Sequence, residues 1–501
     1  MMRGRDGSWR EIEERSEQSK RSPPHLKQAT KAKHNSPRTT CKDNMRKLRL
    51  YGYYNVVILI LSLRRTIADS LIPRKTVTTS SSDSSIHEPP PCSLNGIPTV
   101  DGSCLCDSPW TGLECGQLKL LPVPFPQGYG MQPNLTTWGA DMFIVGQHPA
   151  DDGYKKTHSN SSNKYHLFVS VMTKECSLRS WRSHSRIEHA VSDNITGPFQ
   201  FRDVAVPVFS HNPKIIQLKD GTLALIHIGD GDSEEDHSIT CQRFDTTRKG
   251  TLVNSIKERR LLQDQTQKQK QQVTYPSTTR GSTIHVARSV QGPWAPLLNH
   301  TLGNCNNPAP FVRDENGVET IYIVCSHSNH SALMQATHIT GPWTLVSNIT
   351  PFHETIPEST NIAASSTSLH FEDPAFYIDQ RGYHIIYHAY VRDENPPHGH
   401  DCTHSMVSAH VFSDDGKHWY KSRGQPYGTQ IEILGNKTVT VSTRERPSLI
   451  SRKDAEGNVL RISHLITSVC SAVNCPDGPP EGCVDCKYDN WDYTLIQPLD
   501  V

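Results

Sequence analysis

The sequence has no excess of charge of either sign. Its 501 residues include 52 Lys and Arg against 51 Asp and Glu, so the formal net charge is +1. A protein that binds nucleic acid through its phosphates needs a basic surface, and the overall composition does not supply one. We therefore expect no nucleic acid partner.

A hydrophobic run long enough to cross a bilayer as a helix is also missing from the sequence. The apolar stretch at 50–63 has fourteen residues, whereas a spanning helix needs about 20. Basic residues flank it on both sides. Those before it, with Met45 as the start of translation, make 45–70 resemble a secretory signal peptide. Those after it leave a type II signal anchor as the alternative. The protein is thus predicted to be secreted or held at the cell surface, with a membrane anchor near its N terminus in the second case.

Apolar residues are scarce in the first fifty positions, where fourteen Lys and Arg outnumber six Asp and Glu. Such a composition cannot bury enough apolar surface to fold. Residues 1–44 are therefore predicted to be a disordered basic arm, which is an extension of the gene model if translation begins at Met45. A linker rich in Ser, Thr and Pro is predicted at 71–91.

What the sequence does contain is a phrase that occurs four times. It consists of a residue before proline, an apolar segment, a turn with glycine and a second apolar stretch. The prolines are Pro213, Pro308, Pro374 and Pro447. Each copy predicts a β-hairpin, because proline is tolerated at strand entries and glycine at turns. A second phrase, which ends in Gly-Pro-Phe or Gly-Pro-Trp, supplies a third strand after some copies.

Repetition of one strand-and-turn unit along the chain is typical of a β-propeller. The proline-led phrases are 95, 66 and 73 residues apart, so the loops vary while the unit persists. An earlier unit, with strands predicted at 141–145 and 165–172, brings the number of blades to five. The sequence therefore predicts an all-β fold, a five-bladed β-propeller over residues 120–495.

Sequons and cysteines favour an oxidising, extracellular compartment. The chain contains 14 Cys, and its seven Asn-x-Ser/Thr sequons exceed the about two to four that chance would give. The predicted glycosylation sites are Asn134, Asn160, Asn194, Asn299, Asn329, Asn348 and Asn436. Near the C terminus, bridges are predicted for Cys470, Cys475, Cys483 and Cys486.

Four cysteines precede the propeller: Cys92, Cys104, Cys106 and Cys115. Their segment, 92–116, is too short to fold without covalent bridges. Its spacing resembles the C-terminal half of an EGF-like domain, which implies one bridge between Cys106 and Cys115 and another between Cys92 and Cys104. The alternatives are a chance cluster in a loop and a zinc site, which an oxidising compartment disfavours.

The repeated phrases make residues 120–495 resemble the family 43 glycoside hydrolases and their relatives, among them arabinanases, xylosidases and, more distantly, invertases and levansucrases. This resemblance implies an active site at the mouth of the central channel. It also implies an Asp base from the first blade, a tuning Asp from the second and a Glu acid from the third. Asp141 is expected at the first position, whereas Asn212 and Asn307 occupy the other two.

Acidic residues return in the fourth and fifth blades as Glu372, Asp373 and Glu445. Two carboxyl groups in unlike surroundings can serve as general acid and general base. We therefore predict inverting hydrolysis of pentose- or galactose-containing polysaccharide, in which Asp141 activates water and Glu372 protonates the leaving oxygen. Asp373 or Glu445 would tune these two groups. The alternative is that these acids cap strands or pair with neighbouring basic residues.

Other residues are predicted to bind the sugar. Asn212 and Asn307 would bond its hydroxyls, or are simply turn residues before proline, and Trp138 would stack on a sugar face. Histidines recur on second strands and either line a polar channel, hold a structural metal or belong to the core. They are His166, His227, His388 and His464. The predicted chemistry requires no cofactor, and a structural metal in the channel is compatible with it.

Two classes of function follow from these observations. The first is a secreted or surface-anchored glycosidase, which the surviving acids support. The second is a non-catalytic carbohydrate-binding or adhesion ectodomain that kept the propeller and lost the chemistry, which the cysteine module favours slightly. In both classes the partner is a polysaccharide or another glycan.

Overall fold

The computed structural model describes most of the chain from residue 89 onward. The described residues are 89–124, 127–131, 135–145, 165–176, 178–231, 281–297, 302–303, 305–326, 331–349, 368–392, 408–441, 443–470 and 492–501. The basic arm and the signal segment predicted from the sequence lie outside these residues. Among the described residues, no helix is long and apolar enough to cross a membrane.

A small N-terminal module precedes the blades. It begins with a 3₁₀ turn at Pro91–Leu94 and contains two short hairpins. Their strands are β1 (Gly96–Pro98), β2 (Cys104–Cys106), β3 (Trp110–Thr111) and β4 (Gln117–Leu118). Disulfides join Cys92 to Cys104 and Cys106 to Cys115, which confirms the pairing that the sequence implied.

Blades 1 and 2 are four-stranded antiparallel sheets whose strands pair in chain order. The strands of blade 1 are β5 (Thr137–Ile144), β6 (Tyr165–Met172), β7 (Ser185–Ser192) and β8 (Gln200–Val206). Short helical turns at Thr173–Glu175, Leu178–Ser180 and Trp181–His184 connect β6 to β7. The strands of blade 2 are β9 (His211–Gln217), β10 (Leu223–Ile228), β11 (Ser282–Ala287) and β12 (Ala295–Pro296).

Blades 3 and 4 repeat this arrangement, and blade 5 is a three-stranded antiparallel sheet. The strands of blade 3 are β13 (Asn306–Glu315), β14 (Val318–Ser326), β15 (Ser331–Ala336) and β16 (Thr344–Ile349). Those of blade 4 are β17 (Ser368–Ile378), β18 (Tyr383–Arg392), β19 (Ala409–Ser413) and β20 (Tyr420–Lys421). A separate hairpin follows, formed by β21 (Gln430–Ile433) and β22 (Lys437–Thr440). Blade 5 contains β23 (Thr443–Lys453), β24 (Val459–Cys470) and β25 (Asp492–Pro498).

The first strands of the five blades form a closed ring. Strand β5 packs against β9, β9 against β13, β13 against β17, β17 against β23, and β23 against β5. Apolar residues of adjacent blades fill the spaces between the sheets. The ring confirms the five-bladed propeller predicted from the sequence.

Each first strand is interrupted at the same point. The strand ladder shifts register there, and one residue has a φ between 47° and 75°. We call this the axial position, and its five residues are Gly139, Asn212, Asn307, Asp373 and Arg446. In four blades proline follows, which cannot donate to the ladder and therefore favours a bulge. The axial residues line one cavity of about 20 Å³, on the order of one water molecule.

The N-terminal module packs against blade 4. The ring centroids of Trp110 and His410 are 4.9 Å apart, and Ser93 Oγ donates to Ser422 Oγ at 3.0 Å. The backbone of Gly116 lies so close to blade 4 that an added Cβ would fall 2.2 Å from Ser422 Oγ. The module is therefore fixed to the propeller along the edge of blade 4.

Further disulfides lie within the propeller. Cys305 pairs with Cys325, and Cys176 and Cys470 are also disulfide-bonded. Cys470 thus takes part in a bridge, as predicted. The other three C-terminal cysteines lie outside the described residues, so the bridges predicted for them stay a prediction.

Candidate active site

Acidic residues distinguish two adjacent blades from the rest of the ring. The residue directly before the axial position is Trp138, His211, Asn306, Glu372 or Glu445 in blades 1 to 5. Blades 4 and 5 therefore place carboxylates next to one another at the end of the channel where the first strands begin. Because neighbouring strands are antiparallel, the connections between second and third strands lie at this same end.

A histidine distinguishes blade 4 on its second strand as well. The residue opposite the preceding position is Ile228, Ser326, His388 or Ser468 in blades 2 to 5. In blade 1 the corresponding residue is Ser170, next to Val171, which is opposite Thr137. In blades 1 and 5 this serine accepts a hydrogen bond from the axial backbone N–H of the next blade, at 2.8 and 2.6 Å. His388 occupies the equivalent place beside Glu372. Blade 4 thus departs from the repeat at two facing positions.

Three carboxylates surround the imidazole of His388. Its Nδ1 lies 3.4 Å from Glu372 Oε1 and 3.7 Å from Asp373 Oδ2. It lies 3.9 Å from Glu445 Oε2. One donor atom from each of the four residues lies within 4.8 Å of all the others. The structure therefore brings together three of the four acids predicted to be catalytic and one predicted sugar-binding histidine. We call these four residues the acidic cluster.

Access to solvent differs within the acidic cluster. The side chains of Asp373 and His388 are 2% and 4% exposed, whereas those of Glu372 and Glu445 are 35% and 18% exposed. The Arg446 guanidinium bonds Asp373 Oδ1. The two buried groups therefore form the floor of the cluster, and the two glutamates face the mouth of the channel.

Burial and the neighbouring charges of opposite sign act against each other on the pKa values of Asp373 and His388. Burial raises the pKa of Asp373 to about 7, with Arg446 opposing the shift and Glu372 adding to it. Burial alone would lower the pKa of His388, but the charges of Glu445 and Glu372 outweigh it and raise this pKa to about 9. At neutral pH the imidazole is therefore protonated, and Asp373 can exchange a proton.

The acidic cluster also has the donor set of a metal site. Three carboxylate oxygens and one imidazole nitrogen suit a divalent transition metal ion. Such an ion would have to displace the proton from His388, because only the neutral imidazole is a ligand. Protonated His388 and Arg446 already supply two positive charges to the three carboxylates. The site's own side chains thus compensate two of the three negative charges.

Asp141 lies elsewhere in the ring. It follows the axial Gly139 by two positions, whereas Glu372 precedes its own axial residue. Asp141 Oδ1 accepts a hydrogen bond from Ser448 Oγ at 2.6 Å, and Oδ2 accepts one from the backbone N–H of Ile215 at 2.9 Å. These bonds join the first strands of blades 5, 1 and 2. The carboxylate predicted to be the general base is therefore occupied in holding the ring together.

The two axial asparagines bond each other. Asn212 Nδ2 donates to Asn307 Oδ1 at 2.8 Å, and both side chains are buried. Within the part of the chain that the structure describes, Asn212 Oδ1 has no hydrogen-bond partner. Their predicted contact with sugar hydroxyls stays a prediction, and their place in the turn before proline agrees with the simpler interpretation.

Trp138 and His227 are packed into the interior. Trp138 is 1% exposed and lies among Met172, Leu178 and Cys470. This position leaves no free face for a sugar. His227 Nε2 lies 2.9 Å from His285 Nδ1 within blade 2, and burial lowers the pKa of His227 to about 3. Of the predicted sugar-binding residues, His388 is the one that joins the acidic cluster.

Buried histidine pairs recur between second and third strands. In blade 1, His166 Nδ1 lies 2.8 Å from His189 Nε2. In blade 4, His384 Nδ1 lies 3.1 Å from His410 Nε2. Burial lowers the pKa of His464 in blade 5 to about 4. The core interpretation therefore describes the buried His166 and His227, the channel interpretation describes His388, and His464 is only partly buried.

Arg446 and His211 were missed by reasoning from the sequence. Arg446 occupies the same place before proline as Asp373, and this repeat position was the signal that could have identified it. His211 precedes the axial Asn212 and is buried, with its ring centroid 5.1 Å from that of Trp181. Burial and the charge of Arg446 lower the pKa of His211.

Three predicted glycosylation sites fall on described residues. Asn194, Asn348 and Asn436 are all exposed, so the structure leaves them accessible. The other four, Asn134, Asn160, Asn299 and Asn329, lie outside the described residues. Glycosylation itself stays a prediction at all seven positions.

No protein-family model and no curated protein sequence matches the chain. Solved structures match it by fold. A family 117 glycoside hydrolase produced by the marine bacterium Zobellia galactanivorans matches with a TM-score of 0.39 and 12% identity over 77% of this chain and 90% of that chain. The catalytic domain of the Coprinopsis cinerea GH62 alpha-L-arabinofuranosidase has a TM-score of 0.40 and 10% identity over 76% and 96%. The endo-arabinase of Bacteroides thetaiotaomicron has a TM-score of 0.36 and 12% identity over 77% and 98%. Likeness at this level carries no argument about activity, so the function has to be argued from the acidic cluster.

Proposed function

We propose that the protein hydrolyses glycosidic bonds at the mouth of the propeller channel, between blades 4 and 5. The observation that carries the proposal is the gathering of Glu372, Asp373 and Glu445 around His388. Glycoside hydrolysis needs two carboxyl groups that flank the scissile bond. Among the described residues, this is the one group of three or more His, Cys, Asp or Glu side chains whose donor atoms lie within 4.8 Å of one another.

In this proposal the roles of the two glutamates follow their access to substrate. Glu372 is the more exposed and acts as the general acid that protonates the leaving oxygen. Glu445 is the second carboxylate, and its Oε1 accepts a hydrogen bond from Thr443 Oγ1 at 2.8 Å, which orients it. Glu445 replaces Asp141 in this proposal, because the bonds of Asp141 to Ser448 and Ile215 occupy its carboxylate away from Glu372.

The buried pair on the floor of the cluster sets the charge around the glutamates. Asp373 is paired with Arg446. Because its pKa is raised to about 7, it can gain or lose a proton near neutral pH. Protonated His388 stabilises negative charge on both glutamates. These residues tune the reacting groups without reaching the substrate, because both are almost completely buried.

The substrate proposed is pentose- or galactose-containing polysaccharide in an extracellular compartment. The substrate class comes from the resemblance of the repeated phrases to family 43 glycoside hydrolases. Support for the compartment comes from the disulfides Cys92–Cys104, Cys106–Cys115 and Cys305–Cys325, which persist in oxidising surroundings. The EGF-like character of the N-terminal module and its secretion or membrane anchoring belong to this proposal.

A second candidate function is carbohydrate binding or adhesion without catalysis. The observation that favours it is the pair formed by Asn212 and Asn307, which stand at two of the positions where the sequence resemblance implies acids. The cavity between the axial residues is also too small for a sugar ring. In this candidate the acidic cluster would bind glycan hydroxyls rather than cleave the chain.

One experiment separates the two candidates. The full chain, produced in a secretory host, is assayed for sugar release from arabinan, xylan and galactan and for binding on a glycan array. Glu372→Gln and Glu445→Gln are compared with Glu456→Gln, an exposed glutamate in a turn of blade 5. Sugar release that both cluster variants abolish and Glu456→Gln retains supports hydrolysis. Binding without release selects the second candidate, and neither binding nor release by the folded protein overturns both.

A further inference from the structure

Two buried histidines of blade 4 connect the propeller to the N-terminal module. His384 lies on β18 and His410 on β19, and both are fully buried. His384 Nδ1 lies 3.1 Å from His410 Nε2. At one end of this pair His384 Nε2 lies 3.3 Å from Asp379 Oδ2, and at the other His410 Nδ1 lies 3.4 Å from Asn95 Nδ2 of the module. The four side chains form one continuous chain of polar contacts, which we call the histidine latch.

The two ends of the histidine latch fix which atom donates at each step. Asn95 Nδ2 donates to the carbonyl oxygen of Cys115 at 3.0 Å, so the amide nitrogen is the atom that faces His410. At the other end a carboxylate can only accept, so we assign the proton of His384 to Nε2. His410 Nε2 then donates to His384 Nδ1, and His410 Nδ1 accepts from Asn95. This pattern requires a neutral His410.

We propose that the histidine latch is a pH-sensitive attachment, and that acid releases the N-terminal module from blade 4 by protonating it. A second proton on His410 occupies Nδ1, where Asn95 already presents an N–H. Two donors then face each other, and the bond between the module and the propeller is lost. This inference is independent of the proposed hydrolysis, because no residue of the acidic cluster takes part in the latch.

The surroundings of His410 favour its neutral form while the module is docked. Its ring packs against Trp110 of the module and Phe412 of blade 4, with ring centroids 4.9 and 5.5 Å apart. Burial and the neighbouring His384 lower the pKa of His410 well below the ordinary value of 6.5. Release of the module removes Trp110 from this ring and returns its pKa toward that value. The contribution of the latch to docking is therefore complete above pH 6.5 and declines as the pH falls.

The other titratable groups that face the two imidazoles belong to blade 4. Burial alone would raise the pKa of Asp379, but His384 and the backbone N–H groups of Arg381 and Gly382 outweigh it and lower this pKa. The carboxylate therefore stays ionised in mild acid. Tyr377 stacks on His384 with ring centroids 4.6 Å apart, and burial raises its pKa, so it stays neutral. The change of charge in mild acid thus falls on the imidazole pair.

Two ion pairs border the contact between module and propeller. Arg381 pairs with Asp107, and Arg423 Nη1 lies 3.3 Å from Glu114 Oε1. All four side chains are 32% or more exposed, and exposed ion pairs contribute little to stability. The buried bond of the latch is therefore the contact through which acid acts most strongly on docking.

The test is hydrogen exchange of the full chain at pH 7.5, 6 and 5, read by mass spectrometry. Rates are corrected at each pH with an unfolded reference, and disulfides are reduced only after the exchange is quenched. Peptides from residues 92–118 should lose protection by about tenfold or more between pH 7.5 and 5, whereas peptides from β14 and β24 should stay protected. A module that keeps its protection at pH 5 overturns the proposal, and so do β14 and β24 if they open together with it.

Two variants identify the titrating group. His410→Gln cannot take up a proton, so protection of its module should no longer depend on pH. Asn95→Asp places a carboxylate beside His410 and favours the protonated imidazole, so acid should increase protection of the module. The matched control is His227→Gln, from the buried histidine pair of blade 2, whose module should open in acid like that of the wild type. Thermal unfolding confirms that the propeller of each variant folds. Opening of the module in either latch variant with the pH dependence of the wild type overturns the proposal.

Discussion

Glu372 and His388 lie directly opposite each other on neighbouring strands of blade 4, with Oε1 3.4 Å from Nδ1. Three of the other four blades have serine at the position of His388. At the position of Glu372, blade 5 has a second glutamate, and blades 1 to 3 have none. This local departure from the repeat concentrates negative charge at blades 4 and 5. The corresponding positions of blades 1 to 3 hold Trp138, His211 and Asn306, none of which is acidic. Repeats usually diverge where packing does not constrain them, and here they diverge at the mouth of the channel.

Replacement of His388 by serine should lower activity while leaving the fold intact. Serine restores the residue of blades 1, 3 and 5 but removes the positive charge between the carboxylates. The pKa of the catalytic acid should then rise, because an opposite charge no longer favours ionisation. We expect kcat/KM to fall by about tenfold to hundredfold and the pH profile to move to higher pH. An equal loss at every pH, without a shift, would show that His388 acts only in packing.

Stability should decline on the alkaline side of neutrality because of His388. Its pKa is raised from the ordinary value of 6.5 to about 9, so the stability it contributes is complete below pH 6.5 and disappears as pH rises toward 9. Urea unfolding at pH 6, 7.5 and 9 measures the effect. His388→Ser should flatten this dependence, and a variant curve parallel to that of the wild type would contradict the assignment.

The buried pair His227 and His285 should destabilise the protein in acid. Burial lowers their pKa values to about 3 and about 4. Both stay neutral in the folded state while the unfolded chain takes up protons below pH 6.5. Their contribution is therefore complete above pH 6.5 and is lost as pH falls toward 4, with a slope of up to about 1.4 kcal/mol per pH unit for each group. His227→Gln should reduce the slope of unfolding free energy between pH 6.5 and 4.5. An unchanged slope would place the acid sensitivity elsewhere.

Asp141→Asn separates a structural role from a catalytic one. The carboxylate of Asp141 accepts hydrogen bonds from Ser448 and Ile215. The amide of the variant accepts through one oxygen only, so the substitution should lower the free energy of unfolding by about 1–3 kcal/mol. We expect kcat to stay within about twofold of the wild type, whereas Glu372→Gln should reduce kcat with little change in stability. A large loss of kcat at unchanged stability would restore Asp141 to the role of base that the sequence predicted.

Gly139→Ala should destabilise the ring where blades 1 and 2 meet. Gly139 has a φ of +75°, and an added Cβ would fall 2.4 Å from Asn212 Oδ1. Gly221→Ala is the matched control, since Gly221 has a φ of +82° and no atom within 4 Å of the added Cβ. The control should cost about 1 kcal/mol from backbone strain alone, and Gly139→Ala clearly more. Equal costs in denaturant unfolding would show that the ring adjusts to the methyl group.

The histidines show why the site was only partly predictable. His227 and His388 are both on second strands, at positions that look alike in the sequence. Pairing across the sheet separates them, because His388 is opposite Glu372 whereas His227 points toward His285 within the blade. Alternation along a strand tells which residues share a face, but the register with the next strand decides what they meet.

The first blade was misaligned in the site prediction for a related reason. Ala140 stands where the other blades have proline, so the phrase lacks its marker and Asp141 was taken as equivalent to the axial residues. The positive φ of Gly139 and the bulge at that point identify the true equivalent. Local sequence could not show this, since glycine adopts many conformations and gives no register by itself.

The sequence alone determined the repeating hairpins and the number of blades, because proline and glycine act locally on the backbone. The two cysteine pairs of the N-terminal module followed from its resemblance to half an EGF-like domain. The sequence also identified four carboxylates as candidates. Tertiary structure alone decided which of them meet, since closure of the ring brings Glu445 of blade 5 beside Glu372 and Asp373 of blade 4 and turns Asp141 into a bond between blades. Proximity of residues separated by some seventy positions depends on how five sheets pack around one axis, and side-chain packing across the whole ring sets that arrangement.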